Sequence, residues 1–232
     1  MTDLRPHTSQ DFEAELAAVR EKVLAMGRKV DEVVEAAGRA LVARDVALAN
    51  RIVLGDEETD AMELDLDHLC LEVLARRQPV ADDLRLLLSA LKIVVDLERV
   101  GDLGVSIATR VVELGAEPPL IPYDNVLAML TTARGMVSEA LEALMRADAA
   151  RARAVIEKDD IVDAYATRVF DDVVSATRAD TRNVSRAIRV QAIAKYAERI
   201  GDHGTNVAER VIFVLTGDDI RHRPRPRRLS LS

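Results

Sequence analysis

The chain has 232 residues, about half of them apolar, with aromatics at 3% and a formal net charge of −8. An acidic balance argues against a general nucleic-acid binder, which needs a basic surface. Cys70 is the single cysteine, so an intrachain disulfide is excluded and a reducing compartment is expected; with no run near 18 apolar residues and no secretory apolar segment, the expectation is a cytoplasmic protein.

The apolar residues are mostly Ala, Val and Leu, which suits closely packed helices. After a lead-in over 1–8, Thr8 or Ser9 can cap a first helix, with Glu13 near its first turn. Phe12, Leu16, Val19, Val23, Met26 and Val30 begin a 3–4 spacing that continues to about Ala43. Asp45 predicts the cap of a short helix ending at Leu54, and Gly55 breaks it. A long helix is predicted over 56–77. Gln78-Pro79 predicts a turn, with Pro79 at the first helical position of a helix that reaches about Leu114.

Residues 115–122, with Gly115 and three prolines, form the clearest break. Beyond it the plan repeats: helices over 123–146, 148–157 and 158–178, a turn at 179–181, and a helix over 182–216 ended by Gly217. Residues 218–232 form a basic tail with five arginines between 221 and 228, broken by prolines and expected to be disordered. The predicted fold is all-α. Two three-helix bundles, 9–114 and 123–217, are related by a pseudo-twofold axis and joined by the linker 115–122.

The repeat is visible in the letters. Residues 98–111 read ERVGDLGVSIATRV and residues 198–211 read ERIGDHGTNVAERV, at an offset of 100. Upstream the offset is 103, and Asp56/Asp60 align with Asp159/Asp163. Each half therefore carries two carboxylate pairs at i,i+4: Asp56/Asp60 with Glu98/Asp102, and Asp159/Asp163 with Glu198/Asp202.

Such pairs share a helix face, and like charges there cost about 0.2–0.5 kcal/mol per pair. No Lys or Arg lies four residues from any of the eight, although Arg99 and Lys195 offer some i,i+3 relief. Hairpin geometry sharpens the pattern. If the two long helices of each half fold back antiparallel, residues equidistant from the turn share one level. Asp60/Glu98 and Asp56/Asp102 share the midpoint 79; Asp163/Glu198 and Asp159/Asp202 share 180.5. Both midpoints fall in predicted turns. Four carboxylates at one level need counter-charge, and metal ions bound through hard oxygen ligands supply it. The alternative is a solvated acidic face. Sequence leaves the metal open among Mg, Mn, Fe and Zn.

Gly101/Gly104 and Gly201/Gly204 sit mid-helix, where each costs about 0.8–1.0 kcal/mol relative to Ala. Close approach of a neighbouring helix offsets that, as does room beside a metal. Arg99 and Arg199 pair on the surface or orient carboxylates. His203 points about 100° away from Asp202, and its counterpart is Leu103, so it is a weak ligand candidate, as is His68. Cys70 lies in an apolar stretch and is expected in the core.

On these residues the chain resembles the PhoU family of bacterial phosphate-signalling regulators. The matching text is ARRQPVADDLR over 75–85, LERVGD over 97–102 and AKYAERIGDHGTNVAE over 194–209, and the resemblance covers about 9–217. It implies two three-helix bundles side by side, and multinuclear clusters of iron or other transition metals on the eight carboxylates named above. It also implies a non-enzymatic protein that couples the ATPase of a high-affinity phosphate ABC transporter to a sensor histidine kinase. Phosphate-starvation genes would be repressed when phosphate is plentiful. Membrane contact would come through these partners, no direct nucleic-acid contact is expected, and a homodimer stays open. Leu103 and Thr109 replace the His203 and Glu209 of the second motif, so the first site is expected to differ.

Two other functions compete. A metal-free acidic scaffold would use the same faces to bind basic partners. A carboxylate-bridged di-metal oxidase would need Glu-x-x-His on two helices, and no Glu-x-x-His occurs here. A nucleic-acid role would rest on the arginine tail alone.

Overall fold

In the computed structural model the described residues are 10–55, 57–115 and 117–221. They form α1 (Gln10–Ala43), α2 (Val46–Leu54), α3 (Glu57–Arg77), α4 (Ala81–Leu114), α5 (Asp124–Arg146), α6 (Ala149–Glu157), α7 (Asp159–Ala179) and α8 (Val184–Thr216), with a 3₁₀ turn at Thr181–Asn183. No strand occurs among the described residues. The expected tail disorder and the Thr8/Ser9 cap lie outside them, apart from residues 218–221.

Local chemistry sets most boundaries. The Asp45 carboxylate accepts from the Leu48 backbone N–H at 2.8 Å and opens α2; Asp148 accepts from the Arg151 N–H at 2.9 Å and opens α6. Such a cap satisfies a donor that the first turn leaves unpaired. Gly115 at φ 62° and Gly217 at φ 76° stop α4 and α8, in a region that favours glycine. The first hairpin turn differs from expectation. Gln78 and Ala81 both take positive φ, 48° and 49°, so the reversal consumes Pro79 and Val80, and Ala81 opens α4.

The helices assemble as two triangles. In the first half α1, α3 and α4 pack together, with α2 beside α1 and α4. In the second half α5, α7 and α8 pack together, with α6 beside α5 and α8. The halves meet where α4 lies along α8 and α1 lies against α5. These four helices close a square, and α3 and α7 flank it on opposite sides. The apolar stripes of all four point inward. Val30, Leu97 and Ile107 of the first half and Met136, Ile193 and Ile200 of the second are 0–1% exposed and belong to one continuous core. Each such side chain contributes about 1.5–3 kcal/mol by leaving water. Cys70 is buried in that core, as expected.

Polar clamps tie the halves. Arg134 on α5 donates to Asp31 on α1 through two hydrogen bonds of 2.7 Å, and to Glu35 at 2.8 Å. Across the other seam, His203 Nδ1 on α8 lies 2.8 Å from Asp96 Oδ1 on α4.

Close packing explains three of the four mid-helix glycines, Gly101, Gly104 and Gly204. A Cβ on Gly104 would stand 2.9 Å from Val33 Cγ1 of α1, and one on Gly204 would stand 2.9 Å from Met136 Cβ of α5. Gly101 faces Thr59 of α3, and Gly201 faces Val162 of α7. Gly101 lets α3 and Gly104 lets α1 come close to α4, and Gly204 lets α5 come close to α8.

Candidate functional site

The outer-helix carboxylates Asp60, Asp159 and Asp163 sit near where α3 and α7 begin, and Glu98/Asp102 and Glu198/Asp202 lie within α4 and α8. Asp60 is in the first turn of α3, and Asp159 is the first residue of α7. Carboxylates are favoured there, because the unpaired N–H groups and the helix dipole put partial positive charge at a helix N-terminus. Sequence places the pairs at the point where each outer helix restarts after its short partner helix.

The level at which the helices cross agrees with the hairpin register. Thr59 meets Gly101 and Val162 meets Gly201, pairs with midpoints 80 and 181.5. These lie one residue from the midpoints drawn through the carboxylates. The three-residue shift in the repeat falls at the turn end of the second hairpin. Glu98 lies 17 residues beyond Ala81 in α4, whereas Glu198 lies 14 beyond Val184 in α8.

The charges at this level feel one another. In the second half the Asp163 carboxyl is held above its ordinary range, first by desolvation and then by Asp159, Glu198 and Asp202. Asp202 is raised by desolvation and then by Asp159 and Glu198, with Lys195 and His203 opposing. All four predicted residues of that half thus act on a common region. In the first half Glu98 is pushed up to about 7, by desolvation and then by Asp102 and Glu63, with Arg99 opposing. Glu63 is itself raised by desolvation, then by Asp67, Asp60 and Asp102. Asp60, Glu98 and Asp102 therefore share one field of negative charge with Glu63. Asp56 lies outside the described residues.

Cations partly relieve this repulsion. Arg99 Nε is 3.3 Å from Glu98 and its Nη1 is 3.4 Å from Asp102; Lys195 Nζ is 2.5 Å from Glu198. The side chains remain spread: among the described residues, no group of three or more His, Cys, Asp or Glu is gathered tightly enough to hold a metal ion. The donor chemistry fits a hard or borderline cation, since it is all carboxylate, and Glu98, Asp163 and Asp202 are partly dehydrated and raised above their ordinary range. The arrangement is that of mutually repelling carboxylates, and closing around an ion would require side-chain movement.

Glu63 was missed from sequence because its counterpart in the repeat is Ala166, so a search for duplicated carboxylates passes over it. Its signal is the i,i+3 step from Asp60, which keeps both on one face of α3. His203 is committed to Asp96, in keeping with its direction away from Asp202. Asp96 is buried, at 9% exposed, and also accepts from Asn206 Nδ2 at 3.2 Å.

Comparison with known proteins follows the duplication. The PhoU domain pattern matches twice, over residues 23–111 and 126–211. The phosphate-specific transport system accessory protein PhoU homolog of Pseudomonas putida is 40% identical over 222 residues, spanning 94% of this chain and 86% of that one. Its Aquifex aeolicus counterpart is 37% identical, spanning 90% and 94%. The crystal structure of PhoU from Pseudomonas aeruginosa superposes with a TM-score of 0.83 at 38% identity, covering 89% of this chain and 100% of that chain. The phosphate transport system regulatory protein PhoU from Streptococcus pneumoniae also reaches 0.83, at 25% identity, covering 90% and 99%. Two domain matches in the two halves, one fold and full-length identity near 40% place this chain in the PhoU family.

Proposed function

We propose that this protein is a non-enzymatic regulator of phosphate uptake, working at the cytoplasmic side of a phosphate transporter. The observation that carries the proposal is near-full-length similarity to proteins named as accessory to, or regulatory for, phosphate transport. In this reading it contacts the transporter's ATPase and a sensor histidine kinase, and lowers starvation signalling when phosphate is plentiful. Among the described residues no helix is long and apolar enough to cross a membrane, so membrane contact would come through partners. Affinity capture from native cells tests this. Recovery of the transporter ATPase or the kinase supports it; recovery of neither, in cells that express both, overturns it.

The acidic levels are proposed to bind divalent or transition-metal ions. Asp56, Asp60, Glu98 and Asp102 would hold them in the first half, and Asp159, Asp163, Glu198 and Asp202 in the second. The ion would supply the positive charge that lets two carboxylate-bearing helices close on each other. The support is the raised carboxyls of Glu98, Asp163 and Asp202, held up first by desolvation and then by neighbouring carboxylates. Asp102→Asn with Asp202→Asn is expected to lose metal after purification without chelator. Equal metal content in both proteins overturns the proposal. A metal-free acidic scaffold is the second reading, favoured by the spread of the described carboxylates.

A further inference from the structure

Arg110 and Arg210 hold the same place in the two copies of the repeat, on α4 and α8. Arg110 has a carboxylate to hold. Its Nη1 donates to both Glu113 oxygens, at 2.8 and 2.7 Å, and Arg189 Nε reaches the same carboxylate from α8 at 3.1 Å. The Tyr196 hydroxyl also accepts from Arg110. Around Arg210 the duplication breaks. The counterpart of Glu113 is Phe213, and that of Tyr196 is Asp96. Asp96 is already engaged, with His203 Nδ1 at 2.8 Å and Asn206 Nδ2 at 3.2 Å. Arg210 Nε is buried and has no hydrogen-bond partner.

The surroundings of Arg210 are rich in cations. Desolvation, and then the charge of Arg221, hold its guanidinium below its ordinary pKa, against the pull of Asp96, Asp219 and Glu209. Asp219 itself accepts from Arg221 Nε at 2.8 Å. The antiparallel register of α4 and α8, fixed by Asp96 with Asn206 and by Glu113 with Arg189, brings Lys92 to the level of Arg210. Lys92 is exposed, one turn before Asp96 on the same face of α4. Farther along, a Cβ on Gly217 would stand 3.7 Å from Arg85 Cζ, so Arg85 closes this end of the seam. Arg85 and Arg221 keep carboxylates of their own, Asp82 and Asp219; among the described residues Arg210 and Lys92 form no ion pair. Arg85 and Lys92 alone span seven residues, about 10 Å of helix. That is longer than one small anion and fits a chain segment with several carboxylates.

We infer that this end of the α4–α8 seam is a docking surface for an acidic segment of a partner protein, one of whose carboxylates takes at Arg210 the place that Glu113 takes at Arg110. Guanidinium groups suit carboxylates because their N–H donors match the two oxygens. The surface is basic on a chain of net charge −8, which makes it distinct from the rest of the molecule. The inference is independent of the metal reading.

The test is fluorescence anisotropy of a labelled hexaglutamate peptide with the full chain, with inorganic phosphate and phosphatidylglycerol vesicles as separate probes. Wild type is expected to bind the peptide, and to bind it less well as salt rises. Arg210→Gln is expected to weaken binding about tenfold or more. Phe213→Glu supplies from within the chain the carboxylate that Arg110 finds in Glu113, and is expected to weaken binding likewise. Phe213→Gln makes a similar change of shape without charge and is expected to bind as wild type does, which separates charge from packing. Arg210→Gln carries the test if Phe213→Glu does not fold. Residues 222–228 contain four more arginines, so Arg223, Arg225, Arg227 and Arg228 are replaced by Gln in a further full-length variant. Peptide binding that vanishes in that variant yet survives Arg210→Gln overturns the inference. So does unchanged affinity in both Arg210→Gln and Phe213→Glu, or no peptide binding by wild type. Phosphate or vesicles bound through Arg210 in place of the peptide also overturn it, and assign the surface to a small anion or to a membrane.

Discussion

Gly204 of α8 lies directly against Met136 of α5: a methyl group added there would stand 2.9 Å from Met136 Cβ and 3.2 Å from the Val137 backbone nitrogen. Backbone cannot step aside as a side-chain tip can. Gly204→Ala is therefore expected to lower stability by about 1–3 kcal/mol through overpacking. Gly201, one turn earlier, has its nearest neighbours at 3.5 Å, an ordinary contact. Gly201→Ala is expected to be neutral, or stabilising by up to about 1 kcal/mol, because alanine favours the helix. Urea unfolding of the two variants separates them, and equal destabilisation would contradict this packing.

The Glu98 carboxyl titrates at about 7 in the folded chain, above the 4.5 of an unperturbed glutamate. The folded state therefore holds a proton that the unfolded state has released. Stability contributed by that proton is fully present below about pH 4.5 and is lost as pH rises to about 7. Asp163 and Asp202 shift the same way. In metal-free protein, Glu98→Gln is expected to flatten part of the decline in melting temperature between pH 4.5 and 7, and to be the more stable form at pH 8. A decline of unchanged slope would show that Glu98 carries no such charge burden.

Metal binding to carboxylates that keep protons near neutral pH must displace those protons. Adding Mn²⁺ at pH 6.5 is expected to release protons, measurable in weakly buffered solution, and to raise the melting temperature. Chelator should reverse both. Asp102→Asn with Asp202→Asn should abolish both responses and leave the metal-free melting temperature equal or slightly higher, because repulsion is relieved.

Arg134 holds Asp31 and Glu35 across the α1–α5 seam. Arg134→Met strands two carboxylates without their cation and is expected to cost about 1–3 kcal/mol. Replacing Asp31 and Glu35 by Leu in the same chain should recover much of that loss, because no partly buried charge is then left unpaired. Thermal melts of the single and triple variants measure the difference. A triple variant no more stable than Arg134→Met would rule out stranded charge as the cause.

Much of the fold was legible because it depends on near neighbours in sequence. Asp45 caps the helix it was expected to cap, and its counterpart in the repeat, Asp148, caps the equivalent helix, since that geometry is set within three residues. Pro79 misled because the backbone at Gln78 and Ala81 is fixed by the reversal itself, and no residue type there signals it. At the site, equal heights followed from the rise per residue alone. Glu63 escaped because the repeat was the guide, and it has no acidic counterpart in the second half.

Sequence by itself determined that this chain is a duplicated helical protein, and it set out acidic pairs expected at one level in each half. Periodicity, i,i+4 spacing and the repeat are one-dimensional quantities that helix geometry converts directly into faces and heights. Tertiary structure alone decided how far the carboxylates stand apart, which glycine meets backbone, and that Asp96 crosses the seam to His203 rather than leaving that histidine for a metal. These depend on how two helices distant in the chain are rotated against each other. That rotation is set by the summed packing of both halves, which no local pattern encodes.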